Sequence, residues 1–158
     1  MKRADRFSKK LKRKLDELVP SYEWMPNWRL GKGHENVDVA GLSRQRNRSH
    51  QLVFVEAELR RGHPVANIVK IWKWLENTSK IRRLVVFHAF SKFYTPGHAR
   101  RINAEFIGRQ IQEINPRFRY VCIGIPYMPR KKGRSGGRRT RHHAEGLAYK
   151  IAKKLRLD

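Results

Sequence analysis

Two glutamates lie two positions apart in an otherwise apolar segment, Gln51 to Leu59, of a strongly basic chain. Buried about 4 Å apart, Glu56 and Glu58 would repel each other by roughly 4 kcal/mol at an effective dielectric near 20. Such a pair needs a compensating positive charge, and a divalent cation is the usual one. Glu35 and Asp38 lie upstream and enlarge the acidic group. The pattern predicts a metal site built from carboxylate oxygens.

The overall charge of the chain indicates a polyanionic partner. The 158 residues include 37 Lys and Arg against 13 Asp and Glu, a formal net charge of +24. A basic surface binds nucleic acid because neutralising the phosphates releases condensed counterions. Solubility alone rarely needs more than about 8 net charges in a small domain. We therefore expect DNA as the partner, with RNA left open, and a cytoplasmic location with the nucleoid.

Other classes of protein are disfavoured by what the sequence contains. No apolar stretch approaches about 20 residues and the N-terminus is charged, so we expect no membrane span, signal peptide or membrane partner. Cys122 lies in an apolar run, which favours a buried hydrophobe over a nucleophile. The cysteine and histidine spacings match no zinc pattern, and we expect His142 and His143 to face nucleic acid.

The elements that must position the carboxylates follow from hydrophobic periodicity. Helical spacing covers residues 4–19, the segments after Pro64 and Pro96, and a last segment from His142, while strand patterns cover 22–30, 37–42, 52–59, 83–90 and 120–125. The order α-β-β-β-α-β-α-β-α predicts a single α/β domain over residues 1–158, α+β-like, with a mixed sheet of about five strands between helices. Residues 129–141 are mostly Arg, Lys, Gly and Ser, which predicts a flexible basic loop that binds phosphate.

Strand alternation decides which carboxylates share a face. It puts Glu56 and Glu58 on one face of their strand, and Val55 and Ala57 on the other. Asp38 would lie opposite if the two strands pair as a hairpin. Three acidic oxygens, waters and a substrate phosphate satisfy the oxygen preference of Mg²⁺ or Mn²⁺.

Val37-Asp38 and Glu56-Ala57-Glu58 together resemble the motif of the PD-(D/E)xK nuclease superfamily. In that superfamily an Asp ends one strand, an (Asp/Glu)-x-Lys triplet lies on the next, and a helix facing the cleft follows. Glu58 stands in place of the lysine, as in the minority of restriction-type members that use Glu-x-Glu. The order of elements from residue 4 to residue 125 is also similar. The resemblance implies a restriction-endonuclease-like core and metal-dependent hydrolysis of DNA.

The resemblance also implies roles for individual residues. Asp38 and Glu56 would be the principal metal ligands, together with the carbonyl of Ala57. Glu58 would be a further ligand or the general base. The missing lysine could instead come from the helix after Pro64, where Lys70 and Lys73 are candidates. The alternative for both is an ordinary lysine that contacts solvent or phosphate.

Further residues are accessory candidates. Glu17 matches a position where such nucleases often carry another acidic residue, and its alternative is a surface residue paired with lysine. Glu35 is a candidate for the cleft, with a plain loop residue as the alternative. The predicted phosphate contacts are Arg60, Arg61, Arg130, Lys131, Lys132, Arg134, Arg138, Arg139 and Arg141.

The sequence therefore predicts a Mg²⁺-dependent endonuclease acting on DNA. The chain has little material beyond the expected core, which favours recognition of DNA structure, as in junction-resolving nucleases, or of a short restriction-like site. Small nucleases that cut both strands commonly act as twofold dimers, so a homodimer is a candidate assembly. The alternative is a non-catalytic basic nucleic-acid-binding protein, either ribosome-associated or an inactive nuclease fold.

Overall fold

The elements of the computed structural model follow the predicted order. It describes residues 3–45, 51–59, 62–126 and 136–156. The elements are α1 (Arg3–Leu18), β1 (Tyr22–Arg29), β2 (Asn36–Ser43), β3 (Gln51–Glu58), α2 (Pro64–Glu76), β4 (Arg83–Phe90), α3 (Ala99–Ile114), β5 (Phe118–Gly124) and α4 (Gly136–Arg156). Within these residues, no helix is both long and apolar enough to cross a bilayer.

The five strands form one open mixed sheet in the order β1-β2-β3-β4-β5. The first three strands pair antiparallel, and β3, β4 and β5 pair parallel. This arrangement confirms the predicted mixed sheet of five strands. Because β3, β4 and β5 run in the same direction, their carboxyl ends share one edge, where ligands of open α/β sheets commonly bind.

Helices cover both faces of the sheet, because alternate residues of each strand point to opposite sides. The helices α1 and α4 pack on the face that includes Val53 and Val55. The helices α2 and α3 pack on the face that includes Leu52 and Phe54. The molecule therefore has two helical layers, the α1–α4 layer and the α2–α3 layer, with the sheet between them.

Gly108 allows α3 to lie close to the last strand of the sheet. A Cβ at Gly108 would stand 2.5 Å from ring atoms of Tyr120 on β5. A larger residue would push α3 away from the sheet. The close approach keeps the Tyr120 ring between α3 and the centre of the sheet, with its side chain largely buried.

The start of α4 differs from the prediction. We expected residues 129–141 to form a loop and the helix to begin at His142, yet α4 begins at Gly136, so residues 136–141 are helical. Arginine is among the stronger helix formers, and the two glycines occupy the first helical positions, where their backbone freedom costs little. The Gly and Ser content misled the prediction. Residues 129–135 lie outside the described part of the chain.

Candidate active site

Glu56 and Glu58 occupy the carboxyl end of β3 on its α2 side. Only 4% of Glu56 and 3% of Glu58 is exposed. Val55 and Ala57 face the opposite layer. The predicted alternation is confirmed, and two carboxylates are buried side by side on one face of a central strand.

Asp38 joins them from the neighbouring strand. Val39 of β2 pairs with Val55 of β3, so the start of β2 lies against the end of β3. One carboxylate oxygen of Asp38 (Oδ2) accepts a 2.8 Å hydrogen bond from the Ala57 amide. The other lies 3.5 Å from the hydroxyl of Ser8 on α1. The fold thus brings the three predicted carboxylates to the same end of the sheet.

Burial and mutual repulsion disfavour negative charge on two of these side chains. Burial raises the pKa of Glu56 well above its ordinary value, and the nearby Asp38 and Glu58 charges add to the rise, while Lys70 opposes it. Burial likewise raises the pKa of Asp38, against the lowering effects of the Ala57 amide and of Lys70. A cation among these oxygens would favour their charged forms. The site is therefore an electrostatic environment suited to positive charge.

Lys70 supplies one such charge from α2. Its Nζ lies 2.6 Å from Glu56 Oε1, and its side chain is 14% exposed. It also donates a 3.0 Å hydrogen bond to Asn67 Oδ1. Lys73, one turn further along α2, is exposed. The helix α2 therefore docks with the Lys70 side chain turned onto the sheet, whereas Lys73 has the exposed position of an ordinary lysine that contacts solvent.

Glu58 is held by two donors that share one of its oxygens. Asn67 Nδ2 donates to Oε1 at 2.7 Å, and His88 Nε2 lies 3.0 Å from the same atom. The other ring nitrogen of His88 is 2.9 Å from the Tyr120 hydroxyl. Gly62 lies so close to Glu58 Oε2 that a Cβ there would collide with it. Both oxygens of Glu58 are closely surrounded by protein.

Sequence reasoning missed His88 and Tyr120. Both lie in apolar strands, and the available signal was a single histidine within the buried segment Arg83–Phe90. The strand register pairs His88 with Glu56 on one side and with Cys122 on the other. Burial lowers the pKa of His88, although the Glu58 carboxylate opposes this shift. The imidazole is therefore a neutral neighbour of the carboxylates.

The loop after β4 closes over the segment that follows Glu58. The Ser91 amide donates to the Glu58 carbonyl at 3.0 Å, and the Ser91 hydroxyl donates to the Leu59 carbonyl at 2.6 Å. The Gly62 amide donates to the Tyr94 hydroxyl at 3.0 Å. Two adjacent carboxyl-end loops are thereby fixed to each other beside the carboxylates.

The accessory candidates lie elsewhere. Glu17 is an exposed residue of α1 whose carboxylate is 2.6 Å from Lys14 Nζ, in agreement with the surface alternative. Glu35 is exposed in the turn between β1 and β2, where its carbonyl accepts from the Leu30 amide. The predicted phosphate contacts Arg60, Arg61, Arg130, Lys131, Lys132 and Arg134 lie outside the described residues. Arg138, Arg139 and Arg141 belong to the first turns of α4, whose backbone alone is described there.

The donor chemistry of the site suits a hard divalent cation. Carboxylate and carbonyl oxygens are the ligands that Mg²⁺ and Mn²⁺ prefer, and Asp38, Glu56 and the carbonyl of Ala57 provide them. Across the described ranges, no group of three or more His, Cys, Asp or Glu side chains is close enough to hold a metal ion. The fit is argued from the donor chemistry of Asp38, Glu56 and the Ala57 carbonyl, and the ligand role of Glu58 stays a prediction.

Comparison with known proteins assigns no function to the chain. No protein-family model matches the chain, and searches among curated proteins and among solved structures found no match.

Proposed function

We propose that the protein is a metal-dependent endonuclease that hydrolyses phosphodiester bonds in DNA. The observation that carries this proposal is the 2.6 Å contact between Lys70 Nζ and the buried carboxylate of Glu56, beside the half-buried Asp38. Two carboxylates and a lysine are the functional set of the PD-(D/E)xK superfamily. Here the lysine would come from α2 rather than from position 58, on a restriction-endonuclease-like core.

In this proposal Asp38 and Glu56 hold Mg²⁺ or Mn²⁺ together with the carbonyl of Ala57. A bound ion of this kind polarises the phosphate and lowers the pKa of water. The Ala57 amide, 2.8 Å from Asp38, keeps that carboxylate directed at the site. The Lys70 ammonium would orient the attacking water and lie near the charge that grows on the phosphate.

The α1–α4 layer offers a surface for the DNA backbone beside this site. Lys14 lies 5.4 Å over the Tyr149 ring, and Arg156 donates to the Leu18 carbonyl at 3.3 Å. These contacts follow both helices in the same direction, so α1 and α4 run parallel. Ser8 approaches Asp38 near the beginning of α1, which supports phosphate binding by the basic first turns of both helices, where helix N-termini favour anions.

We also propose that the enzyme acts as a homodimer through α3. Three large apolar side chains of this helix are exposed, namely Ile102 at 49%, Phe106 at 60% and Ile114 at 66%. An antiparallel copy centred on residue 108 would pair Ile102 with Ile114 twice, as a twofold interface requires. Sedimentation equilibrium of wild type and Phe106→Lys tests this: a wild-type monomer at working concentrations would contradict it.

The cleavage proposal is tested on supercoiled plasmid, a four-way DNA junction and a structured RNA, each with Mg²⁺, Mn²⁺ or EDTA. We expect metal-dependent cutting of DNA, and a loss of at least about 100-fold in Glu56→Gln. Glu17→Gln is the matched control, because it removes a surface carboxylate, and it should cut at the wild-type rate. Cutting that survives EDTA, or that is equal in both variants, would contradict the proposal.

A non-catalytic nucleic-acid-binding protein is the second candidate. It is favoured by the engaged position of Glu58, which accepts hydrogen bonds from Asn67 and His88. In that case the wild type should bind junction or RNA at low salt and cut neither with any metal. The same assay therefore separates the two functions.

A further inference from the structure

A continuous line of hydrogen bonds connects β5 with the lysine of α2. The Tyr120 hydroxyl is 2.9 Å from His88 Nδ1, and His88 Nε2 is 3.0 Å from Glu58 Oε1. Asn67 joins Glu58 at 2.7 Å and receives Lys70 Nζ at 3.0 Å. Beyond the last hydrogen bond, the Lys70 ammonium forms an ion pair with Glu56 Oε1 at 2.6 Å. Residues from three strands and one helix are thus connected, directly or through one another, to a single ammonium group.

The donors along this line have one consistent direction. A neutral imidazole has one donor and one acceptor nitrogen. If His88 Nε2 donates to the Glu58 carboxylate, Nδ1 is left to accept from the Tyr120 hydroxyl, whose pKa is raised by burial so that it keeps its proton. The Asn67 amide then donates to Glu58 through nitrogen, and its oxygen can only accept, as it does from Lys70. Reversing any member would place two donors or two acceptors face to face.

The surroundings of Glu58 fit an acceptor role better than a ligand role. Its Oε1 already receives Asn67 and His88, and Gly62 lies against its Oε2. Glu56 differs, because its Oε1 contacts the terminal ammonium of the Lys70 side chain. A substrate or cation could displace Lys70 from Glu56 by rotation of that side chain, whereas freeing Glu58 would break two buried hydrogen bonds.

We infer that Glu58, Asn67 and His88 are positioning residues that hold the Lys70 ammonium against Glu56, and that Glu58 acts through Asn67 rather than as a metal ligand or general base. The catalytic meaning of this inference rests on the proposed nuclease function. The placement of Lys70 does not, and it can be measured without any cleavage.

Lysine acetylation followed by mass spectrometry measures the placement directly. In the wild type, Lys70 should react at least about tenfold more slowly than Lys73, its exposed neighbour on the same helix. In Asn67→Ala the Lys70 rate should rise by about tenfold, the factor expected for losing one hydrogen bond to a charged group. The Lys73 rate should stay within about twofold, which controls for loosening of α2. An unchanged Lys70 rate in a folded Asn67→Ala protein overturns the inference.

Single-turnover cleavage supplies the second readout. Asn67→Ala and His88→Ala should each lower the rate of cutting bound DNA by about tenfold, with the DNA concentration for half-maximal rate unchanged. His88→Gln should restore most of the rate, because a glutamine amide can also donate to Glu58. Equal loss in His88→Gln and His88→Ala would count against the donor role. If the wild type cuts nothing, the nuclease proposal fails, and acetylation alone decides the placement.

Discussion

The two helical layers share one sheet but differ in charge and in what they cover. In the α1–α4 layer, α1 has seven Lys and Arg against three Asp and Glu, and α4 has seven against one. In the α2–α3 layer the corresponding numbers are two against one and three against two. The nearly neutral layer exposes four large aliphatic or aromatic side chains, Val69, Ile102, Phe106 and Ile114. Among the four helices, the excess positive charge therefore lies mainly in the α1–α4 layer.

The two buried faces of the sheet also differ in polarity, but here the ionisable residues lie under the nearly neutral α2–α3 layer. The face under the α1–α4 layer is apolar and includes Val53, Val55 and Phe87. The face under α2 carries Glu56 and His88 among its apolar residues. In the proposed enzyme, adjacent residues of one strand would separate two tasks that conflict on one surface, since carboxylates repel the phosphates that lysines attract. In the proposed enzyme, DNA would be held from one layer and cut at the carboxyl edge by residues of the other.

The largest expected effect is on the chemical step and separates two lysines of α2. Lys70→Ala should lower single-turnover cleavage by about 10²–10⁴-fold, the range for losing a group that assists proton transfer or orients the nucleophile. Lys73→Ala, three residues away and exposed, should change it by less than about twofold. DNA affinity should stay similar in both variants. Equal effects of the two substitutions would mean that α2 contributes only general positive charge.

The sequence could predict those parts of the site that depend on local periodicity. Strand alternation placed Glu56 and Glu58 on one face, and the hairpin pairing of β2 and β3 placed Asp38 beside them. The sequence could not predict which of Lys70 and Lys73 faces the carboxylates, because this depends on the rotation of α2 about its own axis when it packs on the sheet. Apolar side chains on several sides of a short helix leave that rotation open.

The parts that depend on register between distant segments could not be predicted. His88 approaches Glu58 because β3 and β4 pair with Glu56 opposite His88, and a shift of one residue would turn the imidazole to the other layer. Tyr120 joins them only because β5 pairs with β4 in the observed register and Gly108 lets α3 pack over its ring. The start of α4 was missed because composition outweighed helix propensity.

A smaller effect is expected on binding, and it distinguishes the two layers. Arg6 and Lys9 are exposed near the beginning of α1. Replacing both with glutamine should reduce the slope of log affinity against log salt by up to about 1.8, since each phosphate contact contributes about 0.9. Arg109→Gln, an exposed residue of α3, should leave the slope unchanged. Fluorescence anisotropy between about 50 and 200 mM salt measures both. A larger change for Arg109→Gln would assign DNA to the α2–α3 layer.

The smallest expected effect is on stability and concerns the burial of Asp38 at the carboxyl end of β3. The folded-state pKa of Asp38 is raised, mainly by burial. The folded protein therefore binds its proton more tightly than the unfolded chain does. The stabilisation that comes from this tighter proton binding is fully present below the unfolded-state pKa of the Asp38 carboxyl. It is lost as the pH rises through the folded-state pKa. Asp38→Asn removes the ionisation and can keep the Ala57 hydrogen bond.

We therefore expect metal-free Asp38→Asn to melt about 2–4 °C above the wild type at pH 8, which corresponds to about 1 kcal/mol in a chain of this size. The difference should shrink toward pH 4. Mg²⁺ should raise the melting temperature of the wild type at pH 8 and have little effect on the variant, because only the wild type offers both carboxylate ligands, Asp38 and Glu56. Glu17→Gln controls for the loss of an exposed negative charge. If Asp38→Asn melts lower than the wild type at every pH, then the charged carboxylate stabilises the fold, which would contradict the expectation that burying this charge destabilises it.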